Sequence, residues 1–146
     1  MFEWPGTAGW ESVVHLTTGK RQERLPAVFI GNNNKCIISF QDLHFACRDA
    51  FNPYITNKYE QWIELEIAQQ FRDDKYIYEI KIDKKSVFKK ENQHTREFTN
   101  VQMYAGDPWH KAAHGKIRKL TITPELGRLI FFQGMAIPGY IHYLLL

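Results

Sequence analysis

Apolar and polar residues alternate along most of this chain, and helical periodicity is scarce. In Trp62-Ile63-Glu64-Leu65-Glu66-Ile67 the residues Ile63, Leu65 and Ile67 fall on one face while Trp62, Glu64 and Glu66 fall on the other. That period of two predicts a half-buried strand. Tyr76–Asp83 repeats the pattern with Tyr76, Tyr78, Ile80 and Ile82 inward, and the polar stretch Phe71–Lys75 predicts the turn between the two. Asp83-Lys84-Lys85 predicts a second turn, with Ser86–Lys89 as the return strand of a hairpin. Upstream, Glu11–Thr17, Leu25–Ile30, Lys35–Phe40 and Leu43–Cys47 are short β-branched or aromatic runs, punctuated by Thr18-Gly19-Lys20 and Gly31–Asn34. Asn52-Pro53 opens a loop reaching Lys58. Downstream, Phe98–Ala105, Lys116–Thr123, Arg128–Gln133 and Gly139–Leu146 complete the set. Short strands with turn signals every roughly eight to twelve residues predict an all-β fold, a two-sheet antiparallel β-sandwich or barrel, over 1–146 as a single domain.

Composition agrees and narrows the class. At 146 residues the chain can bury a full core without metal or multiple disulfides. The 44% apolar and 24% charged fractions describe a globular chain, and the 14% aromatic content favours sheets and binding surfaces. A net charge of +3 is too small a bias to argue for nucleic acid. No apolar run approaches the length of a membrane span, and the start MFEWPGTAGW lacks the basic and apolar regions of a signal peptide. Two cysteines exclude a disulfide-dense miniprotein and a Cys-rich zinc module. No Asn-x-Ser/Thr acceptor for N-glycans occurs.

The segments GWESVVHLTTG (Gly9–Gly19), RLPAVFI (Arg24–Ile30), the Trp62 strand ending in Ile67-Ala68-Gln69, YIYEIKIDKKSVF (Tyr76–Phe88) and, most specifically, REFTNVQMYAGDPWHKAAHGKIRKLTI (Arg96–Ile122) carry a resemblance. The chain resembles the concanavalin A-like, laminin G-like jelly-roll modules of secreted or cell-surface animal proteins. The resemblance implies two antiparallel sheets in jelly-roll order, an extracellular or cell-surface location, and a lectin or adhesion role. It departs at the termini. Such modules begin with a Gly-x-Leu-Ile strand, then Ile-Pro, then an aromatic strand leading into the first Gly-Trp. Here that series stands at the other end, as Gly127–Ile130, Ile137-Pro138-Gly139 and Tyr140–Leu146. The order is that of a circular permutation, in which Tyr143–Leu146 continues into Phe2–Pro5 as one interrupted strand, or of a cut across a tandem array.

Candidate chemistry is sparse. Cys36 and Cys47 flank a turn at Gln41-Asp42 and would oppose each other if their strands pair. Two buried free thiols are the alternative, and the oxidising compartment implied by the resemblance favours a disulfide. Asp107-Pro108-Trp109 is the best binding candidate. Pro108 restricts Asp107 to extended backbone and sets a carboxylate beside an indole, the pairing that binds sugars, with Tyr104 and His110 alongside. A turn-capping Asp107 and a Trp109 that plugs the fold are the structural alternative. No ligand spacing fixes a metal. Asp107 with Asp49 or Asp42 would suit calcium, and no other cofactor is implied. His110 and His114 stand four apart, but without an intervening Glu they do not form a metalloprotease motif. His15 and His142 alternate with apolar neighbours and read as satisfied sheet residues. Lys84, Lys85, Lys89 and Lys90, and the group Lys111, Lys116, Arg118 and Lys119, form basic faces that are solvated or that meet acidic glycans. The expectation is therefore a non-enzymatic module that binds a glycan or a protein surface. The rivals are a homo-oligomer pairing through edge strands, and a glycoside hydrolase using Glu64 and Glu66.

Overall fold

The computed structural model describes residues 9–31, 35–47, 62–122 and 131–136. Asp49, His142, the Tyr140–Leu146 segment, the Phe2–Pro5 fragment and the interrupted strand they would form lie outside them. The described residues contain twelve strands and no helix: β1 Trp10–Thr17, β2 Ala27–Gly31, β3 Lys35–Phe40, β4 Leu43–Cys47, β5 Trp62–Arg72, β6 Lys75–Ile82, β7 Lys85–Glu91, β8 Gln102–Ala105, β9 Lys111–Ala112, β10 Lys116–Ile117, β11 Leu120–Thr121 and β12 Phe131–Ala136. They form two six-stranded sheets, so the chain is all-β as the alternation predicts and compatible with a β-sandwich.

The first unit is built from 1–56 and 96–113. Its sheet runs β4-β3-β2-β1-β8, with β9 joining the same edge of β1 as β8. Every pairing is antiparallel except β1 with β9. Directly opposed residues share a face of a sheet, so the register sorts the side chains. One face carries Val14, Leu16, Val28, Ile38 and Phe40, all buried and apolar. The other carries His15 and Thr17, then Ala27 and Phe29, then Ser39, then His44, with Tyr104 and Gln102 on β8. His15, Thr17 and Ser39 on that second face have no exposure at all. Both faces are therefore buried at β1, and the polar one must find internal hydrogen-bond partners.

The second unit is built from 57–95 and 114–146. Its sheet runs β10-β12-β5-β6-β7, with β11 also on β12. The alternation read along β5 and β6 holds: Ile63, Leu65, Ile67, Tyr78, Ile80 and Ile82 are buried. Tyr76 shares their face but sits at the strand's start, about one-third exposed, against the ring of Phe71. β5 continues through Phe71 and Arg72, so the predicted five-residue turn shrinks to Asp73-Asp74. Both residues have positive φ, as do Asp83-Lys84, which gives the type I′ geometry whose twist suits a two-residue hairpin. The predicted strand over Lys116–Thr123 is two short pairings, β10 and β11, and Phe98–Ala105 becomes regular only from Gln102.

The register places Cys36 directly opposite Cys47. Cys36 is disulfide-bonded, and Cys47 is the only other cysteine in the sequence. The bond ties β4, the end strand of this sheet among the described residues, to β3. Denatured, unreduced protein should therefore show no titratable thiol, and Cys36→Ser should lower the unfolding free energy by about 2–3 kcal/mol, since a short closed loop is released in the unfolded chain. Two free thiols in that titration would remove the bond from the fold.

Candidate functional site

The polar face of the first sheet is closed by two connections, the β1–β2 loop and the segment between β8 and β9. The second begins at Gly106, whose positive φ (+89°) turns the chain and whose missing Cβ admits Ala112. A Cβ there would meet that of Ala112 at 3.2 Å. Gly106 N–H donates to the carbonyl of Val13, and Ala113 N–H donates to that of Ser12. Both ends of the segment are thus fastened to β1, and Asp107 is delivered over His15.

Asp107 organises the turn at 107–110. Its Oδ1 accepts from the backbone N–H of Trp109 (2.8 Å) and of His110 (2.7 Å), an Asx-type turn. His110 Nδ1 lies 2.9 Å and 3.0 Å from its two oxygens, and His15 Nδ1 lies 3.0 Å from Oδ2. The side chain has no solvent exposure. Burial pushes its carboxyl pKa up. Hydrogen bonds from His15, His110 and the Trp109 backbone outweigh that and hold it below the ordinary aspartate value.

The β1–β2 loop supplies the other wall. Thr17 Oγ1 accepts from the N–H of Gly19 and of Lys20 and donates to the Lys20 carbonyl, which closes the turn. Glu23 Oε2 accepts from the Thr18 backbone N–H at 2.6 Å and from the Thr18 hydroxyl. Burial raises the Glu23 pKa, but these bonds, with Thr17 and the charge of Lys20, hold it below its usual value. The fixed loop then points the Glu23 carbonyl at His15 Nε2, 2.6 Å away. Arg24, also buried, donates from Nη1 to the Gln22 carbonyl and lies over the Phe29 ring. Burial lowers its pKa to about 10, against the pull of Asp107 and with the repulsion of Arg21. His44, beside Ser39, is lowered by burial and by Arg24, with Asp42 opposing.

Of the residues singled out from sequence, Asp107, Trp109, His110 and Tyr104 come together. The Trp109 ring stands edge-on to His15 (5.5 Å between centroids) and to Tyr104 (6.1 Å), and His110 stands edge-on to Phe29 at 4.9 Å. Trp109 and Tyr104 are half-buried and keep an outer surface. Asp107 is different: its oxygens are turned inward and occupied by N–H donors. It positions its neighbours rather than reaching a ligand itself, and calcium there would have to displace those donors. Among the described residues no group of three or more His, Cys, Asp or Glu side chains is arranged to hold a metal ion. Glu66 accepts from Lys81 Nζ at 3.1 Å, and Lys81 also faces Glu79, so this acid belongs to an ion-paired outer face. Lys111 pairs with Glu11, and Arg118 lies 3.8 Å over the exposed Trp62 ring.

His15, Glu23 and Arg24 were not legible as parts of this site. The one signal was two polar residues, His15 and Thr17, at the spacing of one strand face inside an otherwise apolar run. The partner of His15, Asp107, lies 92 positions away, and no local pattern links the two. In comparisons with known proteins, no family model, no curated protein and no solved structure matches the chain.

Removing the Asp107 carboxylate leaves buried donors unanswered. Asp107→Ala should cost about 3–5 kcal/mol, the range for breaking a buried ion pair, measured by urea unfolding. The pH dependence comes from the lowered pKa. Between the folded and unfolded values the unfolded chain binds the extra proton, so stability rises with pH through that window. The contribution of Asp107, with that of Glu23, is complete above the ordinary carboxylate range and is lost as pH falls through the folded values. Asp107→Asn should flatten the acid limb of the stability curve. An unchanged acid limb would show that the carboxylate is not held in this way.

Proposed function

We propose that the chain is a non-enzymatic recognition module that binds a glycan through Trp109, His110 and Tyr104. In this reading Asp107 is the organiser of the site. The observation that carries the proposal is the combination at residues 107–110. A turn held by several hydrogen bonds to one buried carboxylate still leaves Trp109 and Tyr104 only half-buried. Rings already fixed in place lose little further freedom on binding, and an indole covers the C–H face of a sugar. The concanavalin A-like, laminin G-like resemblance supports the same reading, and with it an extracellular or cell-surface location and a jelly-roll order of strands.

One observation favours a second reading, self-association through an edge. Val101, just before β8, and Met103 within it are exposed, and β8 is an end strand of its sheet among the described residues. The hydrolase reading gains no comparable support, because Lys81 pairs with Glu66 on a solvated face.

Trp109→Ala should weaken binding to an immobilised oligosaccharide array by about 1–3 kcal/mol, roughly tenfold or more, with the far-ultraviolet circular dichroism of the native chain retained. Equal binding by the folded variant would remove Trp109 from the site. Sedimentation at several concentrations tests the edge-pairing alternative directly.

A further inference from the structure

The hydrogen-bond pattern around His15 assigns protons that fix what His110 presents to the outside. His15 Nε2 faces the Glu23 carbonyl at 2.6 Å, and a carbonyl only accepts. His15 Nδ1 faces Asp107 Oδ2, on a carboxyl whose pKa the surrounding donors hold below its ordinary value and so keep ionised. Both ring nitrogens of His15 must donate, which only the imidazolium can do. The geometry points to His15 as a buried imidazole that donates from both nitrogens, and to His110 as the Nδ1–H tautomer, its Nδ1–H claimed by Asp107, so that Nε2 serves as a hydrogen-bond acceptor for a neutral hydroxyl-bearing sugar lying on Trp109.

The ionisable groups around His15 are Asp107 and Glu23, both anionic, and the cation Arg24, with Lys20 and Arg21 exposed beside Glu23 and Arg24 and His44 facing Arg24. With His15 neutral, one of its nitrogens would direct a lone pair at an acceptor oxygen inside a site of no solvent exposure. The tautomer of His110 is set by the same carboxylate. Nδ1 lies within 3.0 Å of both Asp107 oxygens and must carry the hydrogen. No described residue bonds to Nε2, and the side chain retains 11% exposure. A lone pair beside an indole suits an O–H donor with an adjacent C–H face, and it repels sulfate or carboxylate. The site is thereby selective against the acidic glycans that the chain's lysines would otherwise attract. This ligand assignment rests on the recognition reading, whereas the proton placement does not.

Two measurements on the intact chain separate the parts. Long-range proton–nitrogen correlation spectra near neutral pH should show two protonated nitrogens on His15, and on His110 a protonated Nδ1 with an unprotonated Nε2. An unprotonated nitrogen on His15, or the Nε2–H form of His110, overturns the inference. A printed array of neutral, carboxylated and sulfated oligosaccharides should show binding to neutral members, weakened at least tenfold in folded His110→Phe. A preference for sulfated members, or undiminished binding by His110→Phe, overturns the ligand assignment. No binding to any member overturns both that assignment and the recognition reading, while the spectra still decide the proton placement.

Discussion

A single carboxylate, that of Asp107, is what the first unit is arranged around. It sits over a sheet face where a strand has placed His15 and Thr17, polar side chains with no exposure. Such groups strongly favour the unfolded chain unless each finds a partner. Asp107 answers His15, the turn donors of Trp109 and His110, and the ring of His110 together. Its oxygens have several acceptor sites in one small volume, whereas a neutral amide has one oxygen and brings donors of its own. The site's dependence on this one residue comes from that geometry.

The two sheets illustrate different ways of burying a strand. In the second unit β5 and β6 follow the simplest rule. Apolar residues at every second position are buried, and Glu66, Glu79 and Lys81 pair on the outer face. Gln69, at the far end of the buried face of β5, accepts from Asn92 Nδ2 23 positions away, a much shorter separation than that of His15 from Asp107. In the first unit β1 is buried on both faces, but only one is apolar. The polar face is closed by two connections that carry their own hydrogen-bond systems, one around Thr17 and Glu23 and one around Asp107. Loops so tightly bonded act as extensions of the sheet, and rigid loops on a sheet are where recognition surfaces are built.

This difference explains what could be read from the sequence. Burial along β5 and β6, the hairpin turn at Asp83-Lys84 and the Cys36–Cys47 register all arise from local alternation and turn residues, which act over a few positions. The cluster of Tyr104, Asp107, Trp109 and His110 was legible because it is nearly contiguous. The direction of the Asp107 side chain was not. Extended backbone before Pro108 allows a carboxylate to face solvent or the sheet, and only the buried His15 on another strand decides between them. The length of β5 was missed for a related reason. Phe71 in a polar stretch looks like part of a turn, but its ring meets Tyr76 across the hairpin and keeps the ladder going to Arg72.

A carboxylate that contacts a ligand differs physically from one that builds a contact. A sugar-binding aspartate must keep lone pairs open at the surface, and its neighbours must tolerate water. Asp107 has neither property: its oxygens are filled from inside, and burial is opposed only by the donors around it. What it exports is order. The Trp109 and His110 backbones are tied to Oδ1, so their side chains leave the turn in fixed directions, and the edge-on contacts of Trp109 with His15 and Tyr104 hold the indole upright. Affinity at such a surface would come from aromatic area and a single oriented acceptor, with the buried charges contributing through the rigidity they impose.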